Sequence, residues 1–159
     1  MAGVVRQHGL GMKISKKSEY GVCALIEMTL QARAGKEWRQ TSQIAERSGI
    51  PEKYLEQILL TLKKGGVLKS KRGIDGGYAL DVDTKDISLY EIFCLLEGDL
   101  SPNSSGADSD DPISSSLNLV TSEAAEASKN VLNNKKLSSL ADQVERLRRE
   151  HQTNIEYQI

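Results

Sequence analysis

The sequence predicts a mainly α fold with a small β-hairpin wing (α+β): a winged helix-turn-helix domain followed by a long C-terminal dimerisation helix. Three observations predict it. A short helical pattern, a glycine and a proline-led second helical pattern occupy 41–64. Two short strands around a glycine-rich turn follow at 67–80. An apolar seam at alternating spacings of four and three then runs from Ile113 to Val131.

The first two observations make one unit. Thr41 opens a short helix, and Ala45 is a small residue where two helices must approach closely. Gly49 stands at the turn, where positive φ is easiest for glycine. Pro51 suits a first helical position, and Leu55, Ile58, Leu59 and Leu62 form one buried stripe. A helix-turn-helix of this kind places its second helix in the major groove of DNA. The outward face of that helix carries Glu52, Lys53, Glu56, Gln57 and Lys63. Gln57 can pair with adenine bidentately, Lys53 can reach guanine or phosphate, and Glu56 can accept from cytosine N4. Gly65 and Gly66 end the helix. Residues 67–70 and 77–80 read as strands, with Lys71, Arg72, Gly73 and Asp75-Gly76 between them. A wing tipped by Arg72 and Gly73 suits a minor groove or a phosphate pair. The alternative is an αα-hairpin and a β-hairpin used only for packing.

On the N-terminal side, residues 1–11 read as a flexible extension, an upstream start or an expression scar. Residues 18–34 form a helix with Tyr20, Ala24, Leu25, Met28 and Leu30 on its apolar face. Trp38, the only tryptophan, is expected to pack beneath the helices. After the wing, Ser88 and Glu91 form a capping box, opening a helix that Gly98 ends and that should pack on the first helix. Residues 99–111 are acidic and Ser-rich and read as a mobile loop. Asp111 and Pro112 then suit an N-cap and first position. The seam runs through Ile113, Leu117, Val120, Ala124, Ala127 and Val131, is interrupted at Asn133-Asn134, and resumes at Leu137, Leu140, Val144 and Leu147. Alone, such a helix leaves its apolar side chains in water. Residues 112–150 must therefore dimerise or fold back against the winged helix, with 151–159 a tail.

Composition excludes several classes. Hydrophobic residues make up 38% and aromatics 4% of 159 residues, lean enough that part of the apolar surface needs a partner. No apolar run approaches the roughly 20 residues that span a bilayer, and no signal peptide opens the chain, so a cytoplasmic protein is expected. The net charge of −1 hides an asymmetry: 13 Lys and Arg against 7 Asp and Glu over 12–78, then 7 against 15 from 79 onward. A basic module followed by an acidic one fits a reader of nucleic acid joined to a part that does not touch it. Cys23 and Cys94 lie far apart in apolar patterns and read as small buried hydrophobes. His8 and His151 near the ends read as solvated. Asp108, Asp110 and Asp111 read as a solvated cluster rather than a cation site. No nucleophile–base pair, phosphate-cradling loop or His-Glu-x-x-His is present, so no enzyme is expected.

The segments Met12-Lys13-Ile14-Ser15, Ile44-Ala45-Glu46-Arg47, Gly49-Ile50-Pro51-Glu52-Lys53-Tyr54-Leu55-Glu56-Gln57 and Arg72-Gly73-Ile74-Asp75-Gly76-Gly77-Tyr78 resemble the Rrf2 family of bacterial transcription regulators. The resemblance covers about 12–98 and implies a homodimer joined by the long C-terminal helix. It also implies that the start of the first helix lies near the DNA backbone. Lys17, Tyr20 and Tyr54 are then backbone contacts, Thr41, Lys53, Glu56 and Gln57 belong to the helix-turn-helix surface, and Arg72 and Gly73 to the wing. Glu19 stands where the family commonly has a basic residue. Many members hold an iron–sulfur cluster through three cysteines in the loop after the Gly98 position. That loop has no cysteine here, so no cofactor or metal is expected. The expected function is sequence-specific binding of double-stranded DNA by a dimer on a two-fold operator, without the three-cysteine site. The alternatives are a winged-helix protein-interaction module, or a regulator whose cluster or effector uses other ligands.

Overall fold

The computed structural model describes residues 14–98 and 111–156. Its elements are α1 (Lys16–Arg33), α2 (Thr41–Ser48), α3 (Glu52–Lys64), β1 (Leu68–Lys71), β2 (Gly77–Leu80), α4 (Leu89–Glu97), α5 (Pro112–Asn133) and α6 (Leu137–Glu156). The extension at 1–11, nearly all of the acidic loop and the last three residues of the expected tail lie outside the described residues. The rest of that tail is helix, since α6 continues through Glu156.

The stops and starts follow the local chemistry. Ser15 caps α1, its hydroxyl oxygen accepting from the Ser18 N–H at 3.2 Å. Gly49 ends α2 at φ 68, a left-handed conformation that costs a glycine little. Pro51 sits one place earlier than expected, as the N-cap of α3. The Ser88–Glu91 capping box is present, with the Ser88 N–H donating to the Glu91 carboxylate at 2.7 Å and the Glu91 N–H to Ser88 Oγ at 3.2 Å. Asp111 caps α5 through the Ser114 N–H at 2.9 Å.

One core joins these pieces. Leu25 of α1, Leu55, Leu59 and Leu62 of α3 and Ile92 of α4 are fully buried together. At about 1.5–3 kcal/mol for each large side chain removed from water, this cluster is what holds α3 at a fixed angle to α1. Gly21 lets α4 approach α1: a Cβ there would lie 2.4 Å from a Leu96 methyl.

The hairpin pairs Leu68 with Leu80 and Lys71 with Gly77 in antiparallel register. Its loop is five residues, 72–76, not a tight Asp-Gly turn. The positive φ values fall at Gly73 (109) and Gly77 (127). Arg39 adds a short third rung: its N–H donates to the Tyr78 carbonyl at 2.9 Å, and the Tyr78 N–H returns to the Arg39 carbonyl at 2.8 Å.

The C-terminal region differs from the single dimerisation helix expected over 112–150. It is two helices that part at the expected Asn133-Asn134 interruption; α5 keeps its seam exposed, whereas on α6 Leu137 is buried, Leu140 and Val144 are half-buried and Leu147 is 47% exposed. Ile113, Leu117, Val120 and Val131 are 79%, 63%, 64% and 59% exposed, and Ala124 and Ala127 are exposed too. α6 instead folds back on α1 and buries Leu137 and Ala141 completely. Backbone bonds to the segment before α4 fix this return: the Leu137 N–H donates to the Ile87 carbonyl at 3.2 Å and the Ser138 N–H to the Thr84 carbonyl at 2.9 Å. Arg33 adds an ion pair with Asp142 at 2.8 Å. For Leu137, and in part for Leu140 and Val144, the intramolecular alternative describes the molecule, while Leu147 stays exposed.

Candidate nucleic-acid interface

The face of α3 opposite its buried stripe exposes Glu52, Lys53, Tyr54, Glu56 and Gln57, then Lys63 and Lys64. None of these side chains is buried in the core. Two helices supply the next part. The Tyr20 ring of α1 meets the Tyr54 ring of α3 edge to face, with centroids 5.6 Å apart and planes at 83°. The structure thus brings Tyr20 and Tyr54 together and leaves both hydroxyl-bearing rings at least partly exposed.

Charge at the start of α1 is partly neutralised. Lys16 is ion-paired with Glu19 at 2.7 Å and stands 5.7 Å from the Tyr20 centroid. Glu19 raises the Lys16 pKa through that hydrogen bond. Lys17 is half-buried. The Ser15 hydroxyl donates to the Glu97 carboxylate at the end of α4, and this bond above all holds Glu97 below the usual carboxylate range.

The wing tip is fully presented. Arg72, Gly73, Ile74 and Asp75 are exposed, Ile74 at 93%. Gln40, just before α2, donates from Nε2 to the Ile74 carbonyl at 3.2 Å, which ties the tip to the start of α2. Half-buried Thr41 is the next residue, so it and the tip share one end of the molecule. Gly77 is required where the wing meets its anchor: a Cβ there would lie 2.1 Å from the Arg39 carbonyl oxygen.

Several features were not foreseen. Trp38 does not pack beneath the helices. It is half-buried beside the wing, with Lys69 and Lys71 Nζ at 5.5 and 5.8 Å from its ring centroid. The strand alternation that puts Lys69 and Lys71 on one face held that information. Cys23 is exposed rather than buried, because it lies off the Ala24, Leu25, Met28 stripe of α1. Cys94 is half-buried and opens on an apolar cleft of about 540 Å³ lined by Val67, Val82, Ile87 and Leu95. Most unexpected is Glu27, which is 5% exposed. Burial pushes its carboxyl up, but hydrogen bonds from Arg47 and Arg148 outweigh this and leave it below the ordinary range.

An iron–sulfur cluster needs several thiolates, and these residues do not fit one. The chain has two cysteines, on α1 and α4, and Cys94 has no second thiol in its cleft. Among the described residues no group of three His, Cys, Asp or Glu side chains is placed to hold a metal ion. Among the same residues no helix is long and apolar enough to cross a membrane.

Comparison with known proteins agrees with this geometry. The Rrf2 family profile, described as an iron-dependent transcriptional regulator, matches residues 14–143. An HTH-type transcriptional regulator of Synechocystis sp. is 42% identical over 91 residues, covering 57% of this chain and 60% of that protein. CymR of Bacillus subtilis is 38% identical over 91 residues, covering 57% and 64%. IscR of Cereibacter sphaeroides is 30% identical over 105 residues, covering 66% and 68%. The chain thus spans about 60% of the length of the first two of these relatives. Solved structures match further along it. CymR, the global cysteine regulator of B. subtilis, superposes with a TM-score of 0.70 at 32% identity over 83% of this chain and 98% of that one. T. potens IscR gives 0.68 at 31% identity over 85% and 90%. With the profile matching over most of its length and the winged helix shared, the chain belongs to the Rrf2 family of transcriptional regulators.

Proposed function

We propose that this protein is a sequence-specific DNA-binding regulator that works as a homodimer on a two-fold operator, without the three-cysteine iron–sulfur site. The observation that carries the reading is the exposed polar face of α3 together with a fully presented wing tip tied to the start of α2. Gln57 and Lys53 are the base-reading side chains, and Glu56 selects cytosine or repels phosphate. Lys17, Tyr20 and Tyr54 grip the backbone, Thr41 stands at the start of α2, and Arg72 with Gly73 enters the minor groove or clamps phosphate. The exposed seam of α5 pairs with a second copy, which sets two recognition helices and two wings on one duplex. Relatives named as regulators rather than enzymes support the same assignment.

Fluorescence anisotropy tests it. A duplex enriched from a random library should bind far more tightly than a scrambled duplex of equal length at moderate salt. Arg72→Ala should weaken binding and lower the slope of log affinity against log salt by about 0.9, the share of one phosphate contact. Equal affinity for both duplexes would defeat the proposal. Partner capture that survives Lys53→Ala, Gln57→Ala and Arg72→Ala would favour a protein-interaction module instead.

A further inference from the structure

Glu27 sits on α1 and is the buried charged side chain among the described residues, with three side-chain donors. Its carboxylate accepts from Arg47 Nε of α2 at 2.7 Å and from Arg148 of α6 at 3.1 Å. Gln31 Nε2 also donates to it, at 3.1 Å. Gln31 in turn accepts from an Arg39 guanidinium nitrogen at 2.6 Å. Arg39 is the residue whose backbone pairs with Tyr78 of the wing. The space among Glu27, Gln31, Arg39, Gln43 and Arg47 is too small for a water. One buried anion therefore touches the helix-turn-helix and the C-terminal helix directly and reaches the wing anchor through Gln31, while the Arg47 and Arg148 side chains stay half exposed.

A buried carboxylate needs its donors, since an unpaired buried charge is strongly unfavourable. Moving α6 withdraws Arg148 and leaves Glu27 to be satisfied by Arg47 and Gln31 alone. Both must then shift, and Arg39 and the wing with them. We propose that Glu27 is a positioning residue that couples the seating of α6 on α1 to the relative placement of α2 and the wing. The proposal rests on the DNA-binding reading for its consequence, but not for its geometry. It gives a route by which anything that moves the α5–α6 arm alters DNA recognition.

The test uses the full-length protein and its only tryptophan, Trp38, which is bonded to Arg39 and lies beside the wing. Arg148→Ala, Glu27→Gln and, as control, Arg149→Ala on the same helix are compared at a temperature where far-UV circular dichroism shows each folded. In the free protein, acrylamide quenching of Trp38 should change in Arg148→Ala and Glu27→Gln and stay at the wild-type value in Arg149→Ala. Affinity for the selected duplex should fall about fivefold or more in the first two, within the usual range of coupling between sites. The salt slope should not change, because no phosphate contact is removed. Wild-type quenching in folded Arg148→Ala overturns the proposal whatever the affinity does. A slope lowered by about 0.9 also overturns it, since Arg148 would then touch phosphate itself. If Glu27→Gln does not fold, Arg148→Ala decides alone, because it trims a half-exposed side chain. If the wild type does not discriminate duplexes, the DNA reading fails, and the Trp38 readout still decides the coupling.

Discussion

Glu27 shows most clearly how one side chain is set by its surroundings. Its pKa is held below the ordinary carboxylate value although burial acts in the opposite direction. A group whose folded pKa is depressed stabilises the fold above its unfolded value of about 4.3, and that stability is lost as pH falls through the folded value. Arg47, Arg148 and Gln31 are the groups that face it. Glu27→Gln should therefore cost about 1–3 kcal/mol at pH 7. The gap between variant and wild type in thermal melts should narrow as pH falls below the ordinary carboxylate range. A gap independent of pH would show that the charge is not what matters. This residue was not legible in the sequence. A glutamate in a helical pattern reads as solvated, and its partners lie 20 and 121 positions away. The exposed faces of α3 and the wing tip were legible, because they follow from which positions the 3.6-residue stripe leaves outside.

At the scale of elements, the wing is not a free hairpin. Arg39 pairs with Tyr78, Gln40 holds the Ile74 carbonyl, and Gly77 makes room for both strands of that contact. Gly77→Ala would need φ near 127 and a Cβ inside the Arg39 carbonyl. It should cost about 1–3 kcal/mol and loosen the tip, so the melting temperature and DNA affinity should both fall. A melt unchanged from wild type would mean that the wing anchor tolerates a Cβ. Helix starts and stops were readable here because capping is local chemistry: Ser88 with Glu91, Asp111 with Pro112, Gly49 at the turn. The return of α6 onto α1 was not readable in the same way. Leu137 reopens the same kind of spacing after the Asn133-Asn134 interruption, and only the backbone bonds to Thr84 and Ile87 show that it turns inward.

At the scale of the molecule, one half of the C-terminal apolar surface is spent on the chain's own core and the other half faces outward on α5. That division is what supports the proposed dimer through α5. Leu117→Glu with Val120→Glu should give a monomer in sedimentation equilibrium while leaving the melt of the single chain nearly unchanged, since both side chains are more than half exposed within it. A stable dimer in the double variant would move the interface elsewhere. The charge asymmetry fits the same proposal, with the basic part holding the proposed reading face and the acidic part holding the proposed dimer arm. The most direct measurement is the sequence that the full-length protein enriches from a random duplex library. The account predicts a two-fold symmetric site with half-site centres about one helical turn, ~10 bp, or a multiple of it apart. Enrichment of no sequence, or of a single asymmetric half-site, would contradict it.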